Sequence, residues 1–167
     1  VLFRSAGTGL LTRVDNSFAT GDIIGNSSGG IIGGFVNAGA EGAHVLVTRS
    51  FSTGEIQGAN AGGIIGDNAN RLAIDSTITL ESSFSTGAIL GSSSGGIVGA
   101  SANVESVESS VEVSDAYSTG EIFGDSSGGI IGSSANALAD SSTIGVHRTY
   151  SRGDISGTFA GGIIGNS

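Results

Sequence analysis

Apolar positions recur along the chain with a step of 33 residues, and this period predicts the architecture. The segment GGIIG begins at Gly29 and is repeated from residues 62, 95, 128 and 161, with Val98 in place of one isoleucine. A second block, typified by Ser-Phe-Ser-Thr-Gly at residues 50–54, precedes every copy at the same step. A fixed period of this length indicates a solenoid or an array of stacked repeats.

Residues 33 positions apart form columns, and the residue types in each column predict whether its side chains are buried, half-buried or at a corner. Thr12, Val45, Ile78, Val111 and Ile144 are each followed two positions later by Val or Leu, which is the alternation of a half-buried strand. Between neighbouring repeats we expect ladders of like side chains. We expect an inward isoleucine ladder (Ile23, Ile56, Ile89, Ile122, Ile155), a stack of rings that buries a large area (Phe18, Phe51, Phe84, Tyr117, Tyr150) and a corner ladder of side-chain amides (Asn37, Asn70, Asn103, Asn136).

The density of glycine and of β-branched residues argues against helices. We therefore predict an all-β fold, a parallel β-solenoid (β-helix) of about five turns of 33 residues, forming a single domain over residues 1–167. Right-handed crossovers between parallel strands predict a right-handed coil. Each turn should contain three short strands and three corners. The repeated glycines should supply positive φ or close backbone approach, and each Ile pair of GGIIG should bury only one residue on a given face.

Composition and charge narrow the possible partners. The chain has 31 glycines, no cysteine, and a net charge of −9 from 15 acidic and 6 basic residues. A phosphate backbone requires a basic face, so we expect no nucleic-acid partner. No apolar run approaches the ~18 residues of a membrane span, so we expect no membrane insertion. No cofactor motif is present, and calcium is the one ion for which the sequence offers candidate ligands.

The repeat resembles the GLUG motif. The segment NSFATG at residues 16–21 resembles the first half of that motif, and GGIIGDN at residues 62–68 resembles the second. Ala116 and Arg152 depart from its usual serine and threonine. The resemblance implies a β-solenoid in large secreted or surface-anchored bacterial proteins, including adhesin-like chains and the stalks of some secreted peptidases, whose catalysis lies in a separate domain.

An acidic column lies next to the STG corner and is the main candidate for chemistry. Asp22, Glu55, Glu121 and Asp154 occupy it, and Ala88 interrupts it. Carboxylates one turn apart repel one another unless Ca²⁺ bridges them or solvent screens them, so a calcium site and a solvated stripe are both open. The threonine column (Thr20, Thr53, Thr86, Thr119) beside a serine column (Ser52, Ser85, Ser118, Ser151) could order water or bind ice.

Nothing in the sequence favours catalysis. His44 and His147 fall in different columns, which is typical of surface residues. Active sites are local exceptions to a scaffold, whereas the acidic column is a regular feature. We therefore expect that the chain is not an enzyme, with a polysaccharide-degrading activity as the least favoured alternative.

The expected function is structural, as an extracellular or cell-surface β-solenoid that forms a subunit or segment of a secreted filament or adhesin stalk. Val1–Ser5 breaks the repeat and is expected to be non-native. Neighbouring repeats of a longer chain and a head-to-tail homopolymer of copies are both open as partners. The alternative is a ligand-binding module that uses one ladder face for calcium, glycan or ice.

Overall fold

Two parallel five-stranded sheets organise the computed structural model, which describes residues 9–166. The long strands are β1 (Leu11–Asp15), β3 (His44–Thr48), β5 (Thr77–Glu81), β7 (Ser110–Ser114) and β9 (Thr143–His147). The short strands are β2 (Phe18–Ala19), β4 (Phe51–Ser52), β6 (Phe84–Ser85), β8 (Tyr117–Ser118) and β10 (Tyr150–Ser151). One sheet has the order β1-β3-β5-β7-β9 and the other β2-β4-β6-β8-β10, so consecutive turns are hydrogen-bonded neighbours.

Every paired residue lies beside the residue 33 positions away. Val45 pairs with Ile78 in the long sheet and Phe51 with Phe84 in the short sheet, while Ile56 and Ile89 form a single bridge. This register confirms the predicted all-β parallel β-solenoid, and no helix occurs between residues 9 and 166. The expectation for Val1–Ser5 lies outside the described residues.

Each turn contains two strands and not three. The other paired positions are single bridges, because left-handed residues interrupt the extended backbone. One turn contains six such positions with φ between 49° and 60°: Ser82, Ser93, Ser101, Asn103, Glu105 and Glu108. Most of these six residues are neither glycine nor asparagine, and such residues ordinarily avoid positive φ. The stacked turns above and below hold the backbone in these corners.

The repeated glycines are required by close approach between turns and not by positive φ. A Cβ on Gly63 would lie 2.1 Å from the carbonyl oxygen of Gly96, and one on Gly87 would lie 1.8 Å from that of Gly54. Positive φ at glycine is confined to Gly9, Gly39 and Gly42 within the described range. Of the two roles that the sequence left open, the structure supports close approach.

The expectation for the Ile pairs of GGIIG was wrong. Ile64 and Ile65 are both fully buried in the same cluster. The chain bends here, and the amides of both residues donate to the carbonyl oxygen of Ile97, at 2.9 and 3.0 Å. A bend lets neighbouring side chains enter one interior, whereas an extended strand would send them to opposite faces.

The core consists of two clusters. The large cluster lies under the long sheet and includes Val45, Val47, Ile64 and Ile65 with their equivalents. The small cluster consists of Ile23, Ile56, Ala61, Ile89 and Ile122, with Ala160 packed against it.

A contact between serine and glycine separates the two clusters. The second glycine of each GGIIG faces the short-strand serine of the next turn, so that a Cβ on Gly63 would lie 2.8 Å from Ser85 Oγ. The chain between these columns encloses the small cluster, and the rest of the turn encloses the large one. We call this row of serine–glycine contacts the dividing wall.

Candidate functional site

The short sheet presents a column of aromatic rings to solvent. In β4 the Phe51 side chain is half-buried, whereas the neighbouring Ser52 is fully buried. Ring centroids in successive turns are 4.9 to 5.4 Å apart, and the planes differ by 12° or less, for Phe18, Phe51, Phe84, Tyr117 and Tyr150. Since the rings are stacked along the coil axis, their faces cover one another and their edges point outward.

The exposed threonine column lies next to these rings. Thr20, Thr53, Thr86 and Thr119 are exposed and follow the rings by two positions, so both columns lie on the same side of the backbone. The separation of such positions along an extended chain is about 6.6 Å. The serines that the sequence placed beside the threonines point the opposite way, into the dividing wall.

The four acidic residues are exposed and follow the column of Thr20, Thr53, Thr119 and Arg152 by two positions. Asp22 Oδ1 accepts a hydrogen bond from the Glu55 backbone N–H at 3.0 Å, and Glu55 Oε2 accepts one from Gln57 Nε2 at 3.0 Å. Glu121 and Asp154 are also exposed. Across residues 9–166, no three His, Asp or Glu side chains are close enough together to hold a metal ion. The arrangement provides a negative stripe, and calcium binding there stays a prediction.

The asparagines stack in a buried corner. Asn37 Nδ2 donates to Asn70 Oδ1 at 3.2 Å, and Asn70 Nδ2 donates to Asn103 Oδ1 at 3.1 Å. At the last turn Asn136 Nδ2 donates to the Ser142 carbonyl at 2.8 Å instead. All four residues have φ between 56° and 61°, a region that asparagine tolerates well.

Serine ladders at three other corners were missed by sequence reasoning. Ser50, Ser76 and Ser94 each follow a residue with positive φ and accept a hydrogen bond from the backbone N–H one turn earlier, at 3.3, 3.1 and 3.1 Å. Each hydroxyl also donates to a backbone carbonyl, as Ser76 does to Ile74 at 3.0 Å. The available signal was the recurrence of small residues at these columns.

Asp67 is the only buried residue with a carboxyl group between residues 9 and 166. It is 5% exposed, and its equivalents in the other turns are glycine, alanine, serine and asparagine. Its Oδ2 accepts hydrogen bonds from Ser27 Oγ at 3.0 Å and Asn68 Nδ2 at 2.6 Å, while Oδ1 has no partner among the described residues. Burial raises the pKa of this carboxyl, partly offset by the hydrogen bonds of Ser27 and Asn68.

Ion pairs on the exterior join residues of neighbouring turns. A hydrogen bond from Thr48 Oγ1, at 2.5 Å, is the main cause of the lowered pKa of Asp15, which also contacts Arg49. Arg148 Nε lies 2.6 Å from Asp115 Oδ1, and this contact lowers the pKa of Asp115. These groups are exposed, so their contribution to stability is small.

The two histidines lie on the exposed ends of the long strands in different columns. His44 Nδ1 lies 2.6 Å from Thr77 Oγ1, and His147 Nε2 lies 3.4 Å from Glu112 Oε2. They do not approach a common site, and neither accompanies Asp67.

Compared with family models, curated proteins and solved structures, the chain matches none of them. The stretch from residue 9 to residue 166 contains no helix that is long and apolar enough to cross a membrane.

Proposed function

We propose that this chain is a structural β-solenoid of an extracellular or cell-surface assembly, extended by further turns that stack on its ends. It serves as a segment or subunit of a filament or stalk and is not an enzyme. The extracellular placement is supported by the resemblance of the repeat to the GLUG motif.

The observation that carries this proposal is the uniformity of the coil. Five strands lie in unbroken register in each sheet, and ladders of asparagine, serine and aromatic residues repeat from turn to turn. The acidic column lies on the exterior, where Asp22 and Glu55 accept hydrogen bonds from the chain's own donors. A repeated exterior of this kind suits a scaffold better than a site for one reaction.

The outer turns supply the surface for stacking. Among the described strands, β1 and β9 each have a partner on one side only. The isoleucine ladder is fully buried at Ile122, but its last member, Ile155, is 49% exposed. Another turn of the same repeat would cover this side chain and continue the parallel hydrogen bonds, whether it came from the same polypeptide or from a second copy.

The experiment is sedimentation velocity of the purified chain at rising concentration, followed by negative-stain electron microscopy. We expect particles that lengthen with concentration while their width stays constant. Dispersed monomers at the highest concentration would remove the head-to-tail version of the proposal.

A matched pair of variants tests where association occurs. Ile155→Lys places a charge on the end of the stack, whereas Leu90→Lys places one on its side, at a position that is 40% exposed. Ile155→Lys should shorten the particles and Leu90→Lys should leave them unchanged. The reverse result would indicate lateral and not end-to-end association.

A further inference from the structure

We propose that one corner of the coil is a docking surface for a basic amphipathic helix of another protein, lying along the coil axis. The corner comprises residues 38–42, 71–75, 104–108 and 137–141, and we call it the acidic corner. It lies on the side of the stack, just before the long strands, so this proposal does not depend on whether the ends associate.

Apolar side chains are exposed together at the acidic corner. Leu72 is 51% exposed, Ile74 48% and Val107 37%. Each of them has its equivalents in the turns on both sides within the described residues, so this exposure does not come from an end of the stack. Ile74 and Val107 are bridge partners in adjacent turns, and Leu72 lies two positions from Ile74. Exposed apolar side chains that lie next to one another are a feature of interaction surfaces.

Leu72 also has a costly backbone conformation. Its φ is 55°, in the left-handed region that bulky residues ordinarily avoid. Gly39 occupies the same column with a φ of 66°, so this corner accepts glycine. Leucine stays half exposed here, so packing within the chain does not offset the cost. This supports a role for its side chain in a contact outside the chain.

The charge around the apolar patch selects a basic partner. The corner contains one arginine, Arg71, and five exposed carboxylates: Glu41, Asp75, Glu105, Glu108 and Asp140. Arg71 Nη2 lies 3.8 Å from Glu105 Oε2, and this is the one ion pair of the corner in the part of the chain that the structure describes. Four carboxylates therefore remain for the cations of a partner. A second copy docking through the same corner would bring like charges together.

The repeat distance of the coil favours a helix over an extended segment. Successive turns present equivalent residues about 4.8 Å apart. A helix along the axis presents a side chain to the same face about every 5.4 Å, a mismatch of only about 0.6 Å per turn. An extended segment presents one about every 6.6 Å and falls out of step within two turns. Aliphatic side chains of a helix can thus contact Leu72 and Val107 together, while lysine or arginine beside them reaches the carboxylates.

The test is fluorescence anisotropy of a labelled helical peptide of about 14 residues, titrated with the full chain. This peptide has leucine along one face and lysine elsewhere. A peptide of the same composition with strictly alternating leucine and lysine represents an extended partner, and a third peptide has glutamate in place of lysine. We expect saturable binding of the helical peptide that weakens with salt, weaker binding of the alternating peptide, and no binding of the glutamate peptide.

Apolar variants assign the binding to the acidic corner. Leu72→Asn/Val107→Thr should raise the Kd about tenfold. Because asparagine tolerates the left-handed region, Leu72→Asn alone should keep or raise the melting temperature while it weakens binding, which a purely structural role would not produce. The matched control is Leu90→Ser/Phe123→Ser, in another exposed apolar column, which should leave the Kd within about twofold of wild type.

Charge variants separate the corner from the other carboxylates of the surface. Asp75→Asn/Glu108→Gln should raise the Kd about threefold at low salt. Glu55→Gln/Glu121→Gln, on the exposed acidic column, should leave it unchanged. Circular dichroism melts confirm that each variant is folded.

Four results would overturn the proposal. Absence of saturable binding to the folded wild-type chain would remove the site. A Kd unchanged by Leu72→Asn/Val107→Thr, or an equal loss of affinity with Leu90→Ser/Phe123→Ser, would place the peptide elsewhere on the surface. Tighter binding of the alternating peptide would replace the helix with an extended partner.

Discussion

The small cluster contains one isoleucine from each turn, whereas the large cluster contains several large apolar side chains from each turn. Around Ile89 the small cluster has Ile56 and Ile122 as its like neighbours and only alanine or serine beside them. One turn of the large cluster contributes Ile78, Leu80, Ile97, Val98 and Ala102. This difference accounts for a contrast in the sequence, because the isoleucine column never varies while the column of Ile78 contains Thr, Val and Ile.

This difference indicates that a column of core residues tolerates substitution when neighbouring side chains can compensate for the lost volume. In the wide interior, a methyl group lost from one column can be replaced by a larger residue in another. In the narrow interior the backbone is held by contacts between glycine and carbonyl, and no other side chain can fill the space. The following variants test this difference, from the largest expected effect to the smallest.

Ile89→Asp should have the largest effect. It places an unpaired carboxylate in the middle of a fully buried isoleucine ladder, where no donor is available. We expect a loss of about 5 kcal/mol in the free energy of unfolding, measured by urea denaturation. The control is Glu55→Gln, an exposed change that should lie within about 0.5 kcal/mol of wild type. Equal stability of the two variants would contradict the inward and outward assignments of these columns.

Gly96→Ala tests the dividing wall between the clusters. The new Cβ would lie 2.2 Å from the Gly129 carbonyl oxygen and 2.7 Å from Ser118 Oγ, so backbone in the next turn must move. We expect a loss of about 3 kcal/mol. Gly21→Ala makes the same chemical change where no atom lies within 4 Å, and should leave the melting temperature nearly unchanged. A similar loss in both variants would mean that close contact between turns is not the reason for glycine at Gly96.

Ser76→Ala and Ser85→Ala should have opposite effects, although both serines are fully buried. Ser76 Oγ satisfies the buried Ala43 N–H, so its removal should cost about 1–2 kcal/mol. Ser85 Oγ, in the dividing wall, has no hydrogen-bond partner between residues 9 and 166, so its removal should stabilise by up to about 1 kcal/mol. Alanine occurs naturally in both columns, at positions 43 and 19. Thermal melts of the two variants check the sign.

Ile89→Val and Ile78→Val remove the same methylene from the small and large clusters. We expect a loss of about 1.5 kcal/mol at Ile89 and about 0.5 kcal/mol at Ile78, whose column already contains valine. The measurement is the urea midpoint at constant slope. Equal losses would show that the invariance of the isoleucine column has a cause other than packing.

Asp67→Ser tests how a buried carboxyl on the side of the large cluster affects stability as pH changes. Burial raises its pKa in the folded state, so the native chain binds this proton more tightly than the unfolded chain does. The resulting stabilisation is fully present below the ordinary carboxyl pKa and is lost as pH rises through the raised native pKa. The advantage of Asp67→Ser over wild type should therefore grow from acid toward neutral pH, as measured by melting temperature. A constant difference across this range would exclude titration of Asp67 as the cause.

The period alone predicts which residues are neighbours in successive turns. It does not always predict whether a column of side chains faces the interior or the solvent. Columns of isoleucine and asparagine could be placed because one is wholly apolar and the other bonds to itself. Phe51 and Ser52 could not, since hydrophobicity predicts the phenylalanine inside and the serine outside. The second glycine of GGIIG leaves room only for a small side chain such as serine or alanine, so the ring turns outward.

Asp67 shows a second limit of sequence reasoning. Its column contains glycine, alanine, serine and asparagine, and nothing in that set indicates whether the position is inside. Its burial depends on Ser27 and Asn68, which are brought to it by left-handed corners that the glycine pattern did not predict. Unusual backbone conformations at ordinary residues are set by the stack and are not visible in local propensity.

The backbone hydrogen bonds that join one turn to the next run nearly along the axis of the coil, as the bond from the Gly62 N–H to the Ser28 carbonyl illustrates. A tension applied between the two ends therefore acts on a single layer of these bonds at a time, and the chain should peel rather than shear. Each released layer would add about 110 Å of extended polypeptide, so a stalk built in this way would lengthen in discrete steps and dissipate a sudden load before its attachments fail.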